Sequence, residues 1–226
     1  MAAEIIPALL VQSAEEFEEK LRLIENHADV VQIDILDGSM FGVESWYDPQ
    51  IIGQVTTSTE YELHLMVENP LPIIEAFRKH VPSTIRAIIH AELDRPLGTL
   101  IELIKQNLKL EVGIALNPET PIDEIHHLIK ELDEVLVMGV HPGASGQGFG
   151  DSVHQIGGEA ILEKIEFIHQ RYPNITIGVD GGVNLARAKT MLSLGATRLS
   201  VASAIFGADD PVDELRKLQE LAAKQG

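Results

Sequence analysis

One feature constrains this chain more than any other: apolar runs of strand length alternate with amphipathic stretches of helical length. The runs are residues 5–10, 30–35, 62–66, 85–90, 110–116, 135–140, 175–179 and 198–201. Between and after them lie 14–26, 48–55, 71–79, 97–107, 121–130, 159–171, 185–193 and 212–224. Strands buried on both faces read as continuous apolar runs rather than as alternating ones. Regular β-then-α order implies a parallel sheet with right-handed crossovers. Eight such units in 226 residues predict one (β/α)8 TIM barrel over 1–226, since these barrels take roughly 250 residues. An open doubly wound sheet is the alternative fold. The count of units and the lack of a G-x-G-x-x-G turn after the first run weigh against it. Helix starts have local causes. Ser13 precedes Glu15 and Glu16, Thr120 precedes Pro121, and Asn184 precedes Leu185, each a capping pattern.

Composition narrows the function. The chain has 17 Lys and Arg against 35 Asp and Glu, a formal charge of −18. Such a field disfavours nucleic-acid backbones and anionic membranes as partners. An anionic substrate would need local dipoles to hold it. With no Cys, disulfides, thiolate metal sites and a Cys nucleophile are excluded. The start MAAEIIPALL has no basic segment, and its apolar run ends at Gln12-Ser13. We read it as a buried strand and expect a cytoplasmic protein without a membrane span.

Three loops after the sixth, seventh and eighth runs are rich in small residues: 141–148, 180–184 and 202–207. Glycines let backbone N–H groups converge on an anion, and a following helix start adds its positive end. One such loop is ordinarily just a turn. Three at adjacent strand ends favour a phosphate site drawn from Gly143, Ser145, Gly146, Gln147, Gly181, Gly182, Ala202 and Ser203. No Lys or Arg lies in these segments before Arg187.

Acid–base candidates lie on the second and seventh runs. Asp34 stands inside Gln32-Ile33-Asp34-Ile35, and Asp180 closes the seventh run. A carboxylate inside an apolar strand is expensive unless it is paired, metal-bound or catalytic. Asp37, beside Gly38, reads as a turn residue. A lone strand His is ordinarily a satisfied core residue. His64, close to two carboxylates and to Gln32, is a candidate metal ligand. His90 is a candidate supporting or substrate contact. Met66 and Met138 stand near the mouth, as core filler or facing substrate. His126 and His127 receive no role.

Several segments resemble the ribulose-phosphate 3-epimerase family in order and spacing. They are residues 33–38 (IDILDG), 63–70 (LHLMVENP), 115–121 (ALNPETP), 138–147 (MGVHPGASGQ) and 179–184 (VDGGVN). The resemblance implies a barrel that interconverts ribulose 5-phosphate and xylulose 5-phosphate by proton transfer at C3. It implies a divalent metal (Zn, Fe or Mn), a small phosphorylated ketose as partner, and a homo-oligomer. Asp34 and Asp180 match the acid–base pair that also binds metal, and His64 matches a metal histidine. Met66 and Met138 match methionines around the planar intermediate, and Gly146, Gly181, Gly182 and Ser203 match phosphate-loop positions.

There are departures. Gln32 stands where the family has a second metal histidine, and offers an amide oxygen, a weaker ligand than imidazole for a zinc-type ion. Ala8, Leu36, His141, Ser145 and Ala202 replace family residues, as does the stretch Ser39-Met40-Phe41-Gly42-Val43. The expected chemistry is proton transfer between two Asp residues through a cis-enediolate. The alternatives are the same chemistry on another ketose phosphate, such as allulose 6-phosphate, and a silent phosphosugar-binding barrel. Decarboxylase relatives need Asp-x-Lys-x-x-Asp, and no Lys follows Asp34; no strand end carries a Schiff-base Lys.

Overall fold

A computed structural model of the chain describes residues 3–143, 148–150 and 157–224. The apolar runs form β1 (Glu4–Leu9), β2 (Val30–Leu36), β3 (Glu60–Met66), β4 (Thr84–His90), β5 (Glu111–Leu116), β6 (Glu134–Met138), β7 (Thr176–Asp180) and β8 (Arg198–Val201). Each pairs in parallel with its neighbour in sequence, and β8 closes on β1. The barrel follows as expected. Around it lie α1 (Ala14–Ile24), α2 (Pro49–Ile52), α3 (Pro70–His80), α4 (Leu97–Glu102), α5 (Gly158–Arg171), α6 (Leu185–Ser193), α7 (Ser203–Phe206) and α8 (Pro211–Ala223).

The caps act as the sequence suggested at two of three places. The Ser13 hydroxyl accepts from the Glu16 N–H, and the Asn184 side chain from the Arg187 N–H. α1 then buries Phe17, Leu21 and Ile24, spaced at one helical face. Burial of each is worth ~1.5–3 kcal/mol, and Leu21→Ala would cost roughly 2–5 kcal/mol.

The third place is a correction. The expected helix over 121–130 is two 3₁₀ turns, Ile122–Glu124 and Ile129–Glu131. Their N–H groups reach back three residues, as in Ile125 to Ile122 and Leu128 to Ile125. The apolar residues Ile122, Ile125 and Leu128 stand three apart, which suits a coil of three residues per turn better than one of 3.6. Thr120 makes no cap, because its hydroxyl is bonded to Glu92. The expected helix over 48–55 is also shorter than read, whereas that over 97–107 is helical throughout. α2 stops at Gly53, where any Cβ would sit 2.1 Å from the His80 carbonyl oxygen. α4 passes into a π-turn, Leu103–Asn107.

Two side-chain layers result. Outward strand residues pack on the helices in one large apolar cluster. The lumen holds a small apolar plug, Ile88, Ala115, Leu136 and Met138, with polar groups above and below it. Side chains two apart on a strand face the same way. Gln32 and Asp34, Glu62 and His64, Arg86 and His90, and Arg198 and Ser200 therefore share the lumen.

Candidate functional site

At the C-terminal ends of the strands an open cleft is lined by Asp34 and Leu36 from β2, His64 and Met66 from β3, Met138 from β6, Asp180 from β7 and Ser200 from β8. Gly143, Gly181, Gly182, Ala202 and Ser203 line it from the loops. Candidates from five β/α units thus converge on one cleft. Gln32 lies in its floor, fully buried. Ser145, Gly146 and Gln147 fall outside the described residues.

The two carboxylates meet at one polar hub. The Gln32 amide nitrogen donates to Asp34 Oδ1 at 2.6 Å and to Asp180 Oδ2 at 2.7 Å. His64 Nδ1 lies 3.2 Å from each of the same two oxygens. The remaining exposure of the acids is onto the cleft, 11% for the Asp34 side chain and 13% for that of Asp180. Burial pushes the Asp34 carboxyl up, the nearby Asp180 adds to this, and His64 and Gln32 oppose it. Burial disfavours the His64 cation, but its bonds to Asp180 and Asp34 outweigh that and hold it up at about 10.

A line of hydrogen bonds runs back from the hub. His64 Nε2 lies 3.0 Å from His90 Nε2, with the rings stacked. His90 Nδ1 lies 3.1 Å from Glu92 Oε2, and Glu92 Oε1 accepts from the Asn117 N–H and the Thr120 hydroxyl. Burial keeps His90 below its ordinary value, so the neutral His90 donates from Nδ1 to Glu92 and accepts from His64 Nε2–H. His64 therefore turns Nδ1 to the acids. Lys164, whose pKa burial lowers to about 8, ties down the Asn117, Pro118 and Thr120 carbonyls.

Donor chemistry fits a divalent cation at this hub. One atom each from Asp34, His64 and Asp180 lie within 4.8 Å of one another, and two oxygens with one imidazole suit zinc, iron or manganese. Gln32 differs from expectation, because its nitrogen and not its oxygen faces the acids, while its Oε1 accepts from Ser200 Oγ at 2.7 Å.

Directly after Asp180, Gly181 (φ +101°) and Gly182 (φ +66°) take left-handed backbone, which L side chains rarely adopt. A Cβ on Gly182 would lie 2.8 Å from the Phe149 backbone. No Lys or Arg is among the cleft-lining residues described. Arg187 braces the loop from behind, bonded to the Gly182 carbonyl and set over the Phe149 ring. The divergent stretch after β2 folds over the mouth, with Phe41 edge-on to His90 and His141.

Sequence reasoning missed Ser200, Glu92 and Lys164. Glu92 stands two residues past His90, a candidate already named, which was its one signal; Ser200 shares a strand face with Arg198, which only closure of the barrel turns inward. Lys164 on α5 had no such signal.

The sequence model of the family described as "Ribulose-phosphate 3 epimerase family" matches residues 4–206. The ribulose-phosphate 3-epimerase of Bacillus subtilis (strain 168) is 33% identical over 215 residues, 92% of this chain and 94% of that one. The cytoplasmic isoform from Oryza sativa subsp. japonica is 31% identical over 225 residues, 97% of this chain and 94% of that one. Among solved structures, KGPDC from Streptococcus mutans superimposes with a TM-score of 0.74 at 10% identity, covering 99% of each chain. The 3-hexulose-6-phosphate synthase of Salmonella typhimurium gives 0.72 at 14% identity, covering 99% of this chain and 100% of that one. At those identities the likeness is one of fold. No helix among the described residues is long and apolar enough to cross a membrane.

Proposed function

The chain belongs to the ribulose-phosphate 3-epimerase family, and from that premise we propose that it interconverts ribulose 5-phosphate and xylulose 5-phosphate by moving a proton at C3. One observation carries the reading. Asp34 and Asp180, from strands far apart in sequence, share the Gln32 amide on the floor of a cleft that the glycine loop also lines.

One Asp removes the C3 proton. The C–H electron pair forms the C2–C3 double bond of a cis-enediolate, and charge passes to the C2 oxygen. The other Asp returns a proton to the opposite face of C3, and the two exchange roles in the reverse direction. An ordinary Asp, at about 3.9, is a weak base for a carbon acid. Burial of Asp34 moves it in the useful direction. Asp34, His64 and Asp180 would hold a divalent metal ion, which supplies positive charge for the developing enediolate oxygens. Met66 and Met138 present polarisable, apolar surface to the cleft. The phosphate would be caught by N–H groups of the Gly181-Gly182 and Ala202-Ser203 segments. That binding, remote from C3, positions the carbon between the acids.

The test is ribulose 5-phosphate in D₂O with Zn²⁺, Mn²⁺ or Fe²⁺ supplied, with allulose 6-phosphate alongside. We expect xylulose 5-phosphate carrying deuterium at C3, and at least tenfold lower kcat/KM on the hexulose. Faster turnover of the hexulose would keep the chemistry and change the substrate. No C3 exchange in either sugar would leave only a phosphosugar-binding barrel and defeat the proposal.

A further inference from the structure

We propose that Gln32 is a reversible amide latch on the cation hub, bridging the two acids with its nitrogen and able to serve an ion only when the amide turns over. Four atoms define the hub: Asp34 Oδ1, Asp180 Oδ2, His64 Nδ1 and Gln32 Nε2. Gln32 Nε2 lies 2.6, 2.7 and 3.4 Å from the other three, and His64 Nδ1 lies 3.2 Å from both oxygens. Ligands of a tetrahedral ion held at 2.0–2.3 Å stand about 3.3–3.7 Å apart. Four of these five distances fall short of that span, so the Gln32 amide stands at a fourth corner of a hub held tighter than an ion's ligands would stand.

The chemistry of that corner fixes the latch. Carboxylates only accept, so an amide that bonds to both must present its N–H groups. A cation requires the opposite end, the carbonyl oxygen. Ser200 makes the exchange feasible. Its hydroxyl now donates to Gln32 Oε1 at 2.7 Å, and a hydroxyl can equally accept from an N–H. Both residues are buried, so neither end of the amide can turn to bulk water instead. Ser200 satisfies the outer end in both orientations. Ion binding with Gln32 as a ligand must break two short hydrogen bonds to charged groups, each of the stronger class. The chain thus couples its acids by its own amide and weakens its hold on the ion.

The inference concerns the site of the proposed reaction, but its readouts contain no turnover, so the two can fail separately. Full-length wild type, Gln32→Glu and Gln32→His are stripped with chelator, titrated with Zn²⁺ by calorimetry and melted. A Glu or His corner offers an ion ligand without bridging both acids as an amide does. We expect each variant to bind Zn²⁺ at least tenfold more tightly than wild type, and each stripped variant to melt below stripped wild type. Tightening of less than tenfold overturns the latch. So does a stripped variant that melts at or above wild type. If Gln32→Glu does not fold, Gln32→His decides alone.

Discussion

The two ends of the barrel lumen are built from the same strands, yet they treat charge in opposite ways. At the N-terminal end Arg86 bonds to Glu62 and to Glu111, and Arg198 bonds to Glu4 and to Glu134. Each buried cation meets carboxylates there. At the mouth two carboxylates face one another across an amide and a histidine. Glu62 and His64 are two residues apart on β3, and Arg198 and Ser200 two apart on β8, so backbone and depth hardly differ. The partners do. Guanidinium groups bind the carboxylates at the bottom, whereas at the top two carboxylates share one amide and one histidine, the groups that the proposed reaction would use to move a proton. In barrels of this kind the lower face serves stability and the upper face chemistry.

The largest expected effect would break this division at the top. Asp34→Asn or Asp180→Asn should lower kcat by about a thousandfold or more, since the proposed reaction transfers its proton through both. KM should stay within a few-fold, and Tm should hold or rise as a buried like-charge contact disappears. Steady-state kinetics and calorimetry check both, and a fall in kcat below tenfold would sink the role assignment. Next comes the bottom. Arg86→Met removes the buried cation that meets Glu62, Glu111 and Glu134, and removing one partner of a buried ionic cluster costs roughly 3–5 kcal/mol. For a chain of this length that is on the order of 10 °C in Tm, while kcat at 25 °C should change little. Loss of activity with an unchanged Tm would erase the contrast between the ends.

A smaller effect concerns the groups behind the hub. Glu92→Gln weakens the acceptor that orients His90 and, through it, His64. Zn²⁺ affinity should drop about 10- to 100-fold, read by calorimetric titration, with secondary structure unchanged. The smallest effect is a trend with pH. Burial lifts Glu62 to about 8, Glu134 adding to this and Arg86 and Arg198 opposing. The fold thus keeps a proton that the unfolded chain releases near 4.5. The associated stability is complete below 4.5 and is lost as pH rises through about 8. Wild type should therefore lose a few degrees of Tm between pH 5 and 9 relative to Glu62→Gln. Parallel melting curves would show that Glu62 is ionised throughout.

Much of this was legible in the residues, for reasons that also mark where reading fails. Continuous apolar runs gave away the barrel because both faces of each strand are covered. Asp34, His64 and Asp180 stood out because charge inside such runs is costly. Glu62, Arg86, Glu134 and Arg198 obey the same rule and escaped notice, since they sit at run edges, where a charge reads as a solvated end. Only closure of the barrel shows that those edges face inward. The 121–130 stretch misled because apolar residues at a spacing of three satisfy a helix template loosely. The orientation of the Gln32 amide was beyond reach. It depends on Ser200, 168 residues away in sequence, and on both acids at once.

The paired charges below the plug also bear on assembly. Arg198 on the last strand bonds to Glu4 on the first at 2.8 Å, across the seam where the sheet meets itself. A strand slipped by one position would swing its ionic side chains among the helices and its leucines into the interior. The ionic floor therefore acts as a set of alignment pins that accept one threading of the eight strands, and the seam can lock only after the C-terminal strand has been made.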